Sequence, residues 1–133
     1  MANLLYDQFR QKAGTALVNL TTDTIQAYLV TATYAPTQAT DVATSAFSAA
    51  IVTGGGAQTV TGQYLTNGVW GHNAVTWPSV TTSQTAKAIV YFDVTANCII
   101  AYIDSDTGQP LTTTGNNVVY TPAVVGSGGV FKL

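Results

Sequence analysis

The hydrophobic pattern divides the chain into a short mixed N-terminal part and a long run of strands. Leu5, Phe9, Ala13 and Ala16 recur at three- and four-residue spacing, which predicts a short helix over residues 2–13. Asn3 stands where an N-cap is expected, and Gly14 is a natural stop. Asp7 near the start and Arg10 and Lys12 near the end complement the helix dipole. Residues 1–14 are therefore expected to form an N-terminal helix or arm. Residues 24–34, TIQAYLVTATY, are rich in β-branched and aromatic side chains and predict the first strand. Ile25, Ala27 and Leu29 alternate with Tyr28 and Val30, so both faces are apolar and both call for cover. The opening helix is the expected cover for one of them. Ala35-Pro36 ends the strand. Within residues 40–51, Val42, Ala46, Phe47 and Ala50 predict a second short helix capped by Thr40, and Gly54 to Gly56 predict a joint or tight corner.

Residues 57–133 read as strand throughout. The expected segments are Gln58 to Leu65, Val69 to Val80, Ala86 to Thr95, Cys98 to Asp104, Val118 to Val124 and Val130 to Leu133. Turn chemistry separates them. Asn67-Gly68 is a strong hairpin signal. Asp104 to Gly108 followed by Pro110, Gly115-Asn116-Asn117 and Gly126 to Gly129 are further turns. The fold class is mainly β, an antiparallel β-sandwich with one or two short helices in the N-terminal third. No internal repeat or long linker interrupts it, so residues 1–133 are expected to form a single domain.

Composition changes the picture more than any motif. The 133 residues include no glutamate, six aspartates, four lysines and arginines, one histidine and one cysteine. Charged residues make up 8%, against about 25% in an ordinary soluble domain. Twenty-three threonines fill much of the space. A surface of Thr, Asn, Gln, Gly and Ala is easy to desolvate and suits a protein packed against other proteins. The formal charge is −2 and the pI is near 4.7. Arg10, Lys12, Lys87 and Lys132 are too few and too scattered to follow a phosphate backbone, so no nucleic-acid partner is expected. No apolar stretch approaches the roughly 18–20 residues of a membrane span. The sequence shows no basic region followed by a long apolar one at its start, so synthesis in a cytoplasm without export is expected. Cys98, alone beside Ile99 and Ile100, reads as a small buried hydrophobe.

The same poverty limits the chemistry. Asp104 and Asp106 are close in sequence but fall in an expected turn, where aspartate usually caps backbone amides. Their spacing to Gly108 half-matches a calcium loop, but the bidentate glutamate of such a loop has no counterpart in this chain. A Ser–His–Asp arrangement would have to pass through His72, which reads as a polar surface or interface residue of a strand. One histidine and one cysteine cannot build a zinc site within one chain. Gly54 to Gly56 lack the Lys-Ser/Thr of a phosphate loop. Trp70 and Trp77 are seven residues apart, so in a regular strand they face opposite sides, with Trp77 in the core and Trp70 outside. No catalytic residues, cofactor or metal are assigned, with Asp104 and Asp106 as the one weak metal pair.

Several stretches together carry a resemblance. LLYDQFRQKAG, LTTDTIQAYLV, ATDVATSAFSAAIV, AKAIVYFDV, CIIAYIDSDTGQPLT and the terminal VFKL occur in the order and spacing of a family of small tailed-phage structural proteins. The chain resembles that family over nearly its whole length. The resemblance implies a jelly-roll-like capsid cement or decoration protein. It would sit on the outside of the virion, bind the major capsid protein and associate with itself as a dimer or trimer on a symmetry axis. Edge strands and the terminal segments are the expected contacts, with Met1, Leu4, Tyr6, Trp70, His72, Phe131 and Leu133 as candidate interface residues. A different reading makes the chain a tail or fibre module for host glycan, and it requires Trp70 and nearby tyrosines to share an open groove.

Overall fold

The computed structural model describes residues 3–81, 84–104 and 111–133. Its elements in chain order are β1 (Leu4–Leu5), α1 (Asp7–Gly14), β2 (Ile25–Val30), 3-10 turns at Thr44–Ala46 and Ser48–Ala50, β3 (Gln58–Thr59), β4 (Tyr64–Thr66), β5 (Val69–Gly71) and β6 (Val75–Trp77). Then come β7 (Thr85–Ala86), β8 (Ala88–Asp93), β9 (Cys98–Ile103), β10 (Leu111–Thr112), β11 (Val118–Tyr120), a 3-10 turn at Val125–Ser127 and β12 (Phe131–Lys132). The protein is mainly β, and the strand pairings are antiparallel.

The centre is a five-stranded sheet in the order β1-β9-β8-β2-β3. Every residue of β8 and β9 is buried, which is why AIVYFD and CIIAYI show no polar alternation. The pairing register separates the two faces. Ala27, Tyr91 and Ala101 lie in one row, and Tyr28, Val90 and Tyr102 lie in the next, pointing the other way. On the first face Tyr91 meets Trp70 of β5 edge-on at 5.2 Å. On the second, Tyr28 packs on Phe47 at 5.1 Å and Tyr102 on Tyr34 at 5.9 Å.

The remaining pairs nest around the β8–β9 hairpin. β7 pairs with β10, β6 with β11, and β5 with β12. One long hairpin folded over on itself produces this concentric order, and it is the pairing of a jelly roll. β4 extends the last pair through a two-residue hairpin at Asn67 and Gly68. Both have positive φ, 51° and 80°, as a type I′ turn demands.

Several elements differ from the sequence expectation. Leu4 and Leu5 pair with Tyr102 and Ala101 as a strand, so the helix starts only at Asp7. Its N-cap is Tyr6, without a side-chain bond. Asn3 instead uses its Oδ1 to accept from the Asp104 amide at 2.9 Å. The helix packs chiefly on β9. The cover for β2 comes from the segment 31–50. There the expected second helix is two separate 3-10 turns, with Phe47 and Ala50 buried but Val42 and Ala46 exposed. Thr44, Ser45 and Ser48 are poor helix formers, and a three-residue repeat suffices to turn Phe47 and Ala50 inward. The strand expected over residues 69–80 breaks at His72 to Ala74, and that over 58–65 breaks around Gly62. The joint at Gly54 to Gly56 has a steric cause, because a Cβ on Gly55 would lie 3.0 Å from the Trp77 side chain.

Candidate functional site

Three groups that chemistry would use first are all spoken for inside the fold. Trp70 is completely buried; its Nε1 donates to the Leu20 carbonyl at 3.0 Å, and its ring lies 5.1 Å from Phe131. Trp77 is equally buried, with Nε1 donating to the Ala27 carbonyl at 3.3 Å. The expectation of an exterior Trp70 is therefore corrected. The two tryptophans are on separate strands with a turn between them, so the odd spacing does not set their directions. Gly71-His72-Asn73, in the middle of an expected twelve-residue strand, was the signal for that turn, since strands average about five or six residues.

His72 is corrected in the same way, being 6% exposed. Its Nδ1 lies 2.6 Å from the Asn73 carbonyl and its Nε2 2.8 Å from the Tyr91 hydroxyl. A carbonyl only accepts, so Nδ1 carries the proton and Nε2 accepts from Tyr91. Burial holds the imidazole below its usual pKa, in the neutral form. Tyr6 is fully buried as well. Its hydroxyl donates to Tyr34 at 2.5 Å, and Tyr34 donates to Asp41 Oδ2 at 2.8 Å. Burial raises the pKa of both tyrosines. This chain ties the start of α1 to the 31–50 segment.

The acidic groups are also inward. Asp93 is fully buried at the end of β8, and its Oδ1 accepts from the Ala96 amide at 2.8 Å. Burial, with the neighbouring Asp23 carboxyl adding to it, pushes its pKa up to about 6. Cys98, opposite Asp93 in the ladder, is a buried thiol pushed up to about 11 by burial first and by Asp93 second. It is a packing residue rather than a nucleophile. Asp104 is corrected from an exposed turn to a buried position at the end of β9. Asp106 and Met1 lie outside the described residues. Among the described residues, no three His, Cys, Asp or Glu side chains gather as metal ligands.

An open groove lies at the two terminal strands. Between β1 and β12 runs a groove of about 360 Å³, lined by apolar side chains of Leu4, Leu5, Ile103, Val130 and Phe131. Both strands are the outermost of their sheets. Of the sequence-derived interface residues, Leu4 and Phe131 come together here, half-buried. Leu133, 53% exposed, follows directly in the chain. Arg10 and Lys132 also border the groove. Arg10 stands 3.9 Å from Asp7, with both side chains more than half exposed. Among the described residues, Asp7, Arg10 and Lys132 are the charged side chains that are exposed; the other six are buried or half-buried. Among the described residues the exposed surface is thus poorer in charge than the sequence, and two of its three exposed charges, Arg10 and Lys132, line this groove. Sequence reasoning found the two terminal segments but not their meeting, which depends on β9 and β5 carrying β1 and β12 to neighbouring edges.

Compared with protein-family models, with curated proteins and with solved structures, the chain has no match in any of the three.

Proposed function

We propose that this protein is a structural virion component of a tailed phage, a capsid cement or decoration protein with a jelly-roll-like sandwich, which binds between neighbouring major capsid subunits on the particle exterior. The observation that carries the reading is the surface. Threonines, asparagines and small residues dominate it, and among the described residues its exposed charges are three, of which Arg10 and Lys132 line one groove between two edge strands. Removing such a surface from water strips few ions of their hydration. A standard protein interface of about 1,600 Å² then forms without a large desolvation cost, and repetition over the shell adds the contacts together. Self-association on a symmetry axis multiplies them further. The sequence resemblance supports the same reading through the order of its motifs.

The glycan-binding alternative required Trp70 in an open groove, and its complete burial removes that support. Antibody labelling of purified particles, viewed by electron microscopy, tests the proposal. Label over the whole shell is the expected result; label confined to the tail, or none, overturns it.

A further inference from the structure

We propose that the groove between β1 and β12 is the seat of an extended segment of another protein that bears a carboxylate next to an apolar side chain. The inference rests on the docking role proposed above and specifies the chemistry of the partner.

Four observations point to that occupant. The walls are the outer strands of two different sheets; the Leu5 carbonyl of β1 is taken by Gln38 Nε2, and the outer edge of β12 is the one that suits a further extended segment. Leu4, Leu5 and Phe131 are only half-buried there and leave apolar surface for an apolar side chain. Arg10 and Lys132, two of the chain's four basic residues, border the groove, and among the described residues no acidic side chain lines it. Asp7 meets Arg10 only at 3.9 Å between water-exposed groups; such a pair holds weakly and can yield to a better partner. In a protein of net charge −2, two cations beside the half-buried Leu4, Leu5 and Phe131 select an anionic, partly apolar ligand. A second copy is disfavoured by the same charges. A two-fold contact through this face would set Arg10 and Lys132 against their own counterparts.

The test is an amide-resolved NMR titration of the full chain with a capped hexapeptide alternating Val or Ile with Asp. Matched peptides with Asn or Lys in place of Asp, and the Asn peptide with a free C-terminal carboxylate, accompany it. The expected result is movement of the Leu4, Leu5 and Phe131 amides with the Asp peptide and none with the Lys peptide. Binding should weaken about 2- to 5-fold in Arg10→Gln and in Lys132→Gln, the range for one exposed charge contact. It should vanish in the double variant Arg10→Glu/Lys132→Glu, and it should fall as ionic strength passes about 0.1 M. Binding of the free-carboxylate Asn peptide as tight as the Asp peptide upholds the inference and assigns a chain end as the source. Equal binding of the Lys peptide, unmoved groove amides, or a peptide-free dimer through this face overturns it. On particles, full occupancy by the double Glu variant overturns the groove inference and leaves the virion role standing. Absence of the wild type from particles, with the Asp peptide still bound, overturns the virion role and upholds the groove.

Discussion

Replacing Asp93 by asparagine should stabilise this protein, and only above about pH 6. Asp93 is fully buried beside Asp23, and its pKa rises from 3.8 to about 6. The folded state therefore holds the Asp93 proton more tightly than the unfolded chain does. Below about pH 4 the group is protonated in both states and has no effect. As pH rises through the interval up to about 6, the unfolded chain releases its proton first and folding loses stability. Above that, the loss is constant, at roughly 3 kcal/mol for a shift of this size. The introduced amide would keep the acceptor for the Ala96 N–H and offer Asp23 an N–H donor where there is now a second carboxyl. The expected gain for Asp93→Asn is about 2–3 kcal/mol at pH 8 and near zero at pH 4. For a chain of this length that raises Tm by about 10 °C. Urea unfolding and calorimetry at the two pH values measure it. Equal effects at pH 4 and pH 8, or destabilisation at pH 8, would refute the reasoning that a buried carboxylate is strained here.

Three further outcomes follow from the same contacts. Burial depresses the pKa of His72, so its contribution is complete above the unfolded value of 6.5 and is lost as pH falls below it; in an Asp93→Asn background, His72→Gln should flatten the remaining acid slope of the urea midpoint. Ala16 has φ of 60° just after α1, with the Leu17 amide donating to the Lys12 carbonyl and the Ala16 amide to the Ala13 carbonyl. That is the C-terminal arrangement that glycine prefers, so Ala16→Gly should add about 0.5–1 kcal/mol in the same assay. Trp70→Ala should cost about 3–5 kcal/mol, as a fully buried large side chain does, and wild-type tryptophan emission should resist acrylamide quenching; a loss under about 1 kcal/mol would mean the ring is not in the core.

The fold class was legible because it depends on local signals. Continuous apolar runs over 88–93 and 98–103 meant buried strands, and Asn67-Gly68 meant a tight hairpin. What escaped was set by distant partners. Leu5 has helical spacing to Phe9, but the free edge of β9 draws it and Leu4 into a strand. Phe47 is buried through Tyr28 and Tyr34, and not through a helical stripe with Val42. Trp70 and His72 turn inward because Tyr91, three strands on in the chain order, presents a ring to one and a hydroxyl to the other. Of the candidate interface, Leu4, Phe131 and Leu133 reach or adjoin the groove, whereas Tyr6, Trp70 and His72 became core. Apolar and aromatic residues suit a core and an interface equally in composition, and only the pairing of strands separates the two uses.

On the proposed reading, a surface this poor in ions exists to be covered by protein. The most direct measurement is the number of copies per purified particle relative to the major capsid protein, by quantitative mass spectrometry. A simple, fixed ratio to the shell subunit is the expected result. A handful of copies per particle, or none, would contradict it.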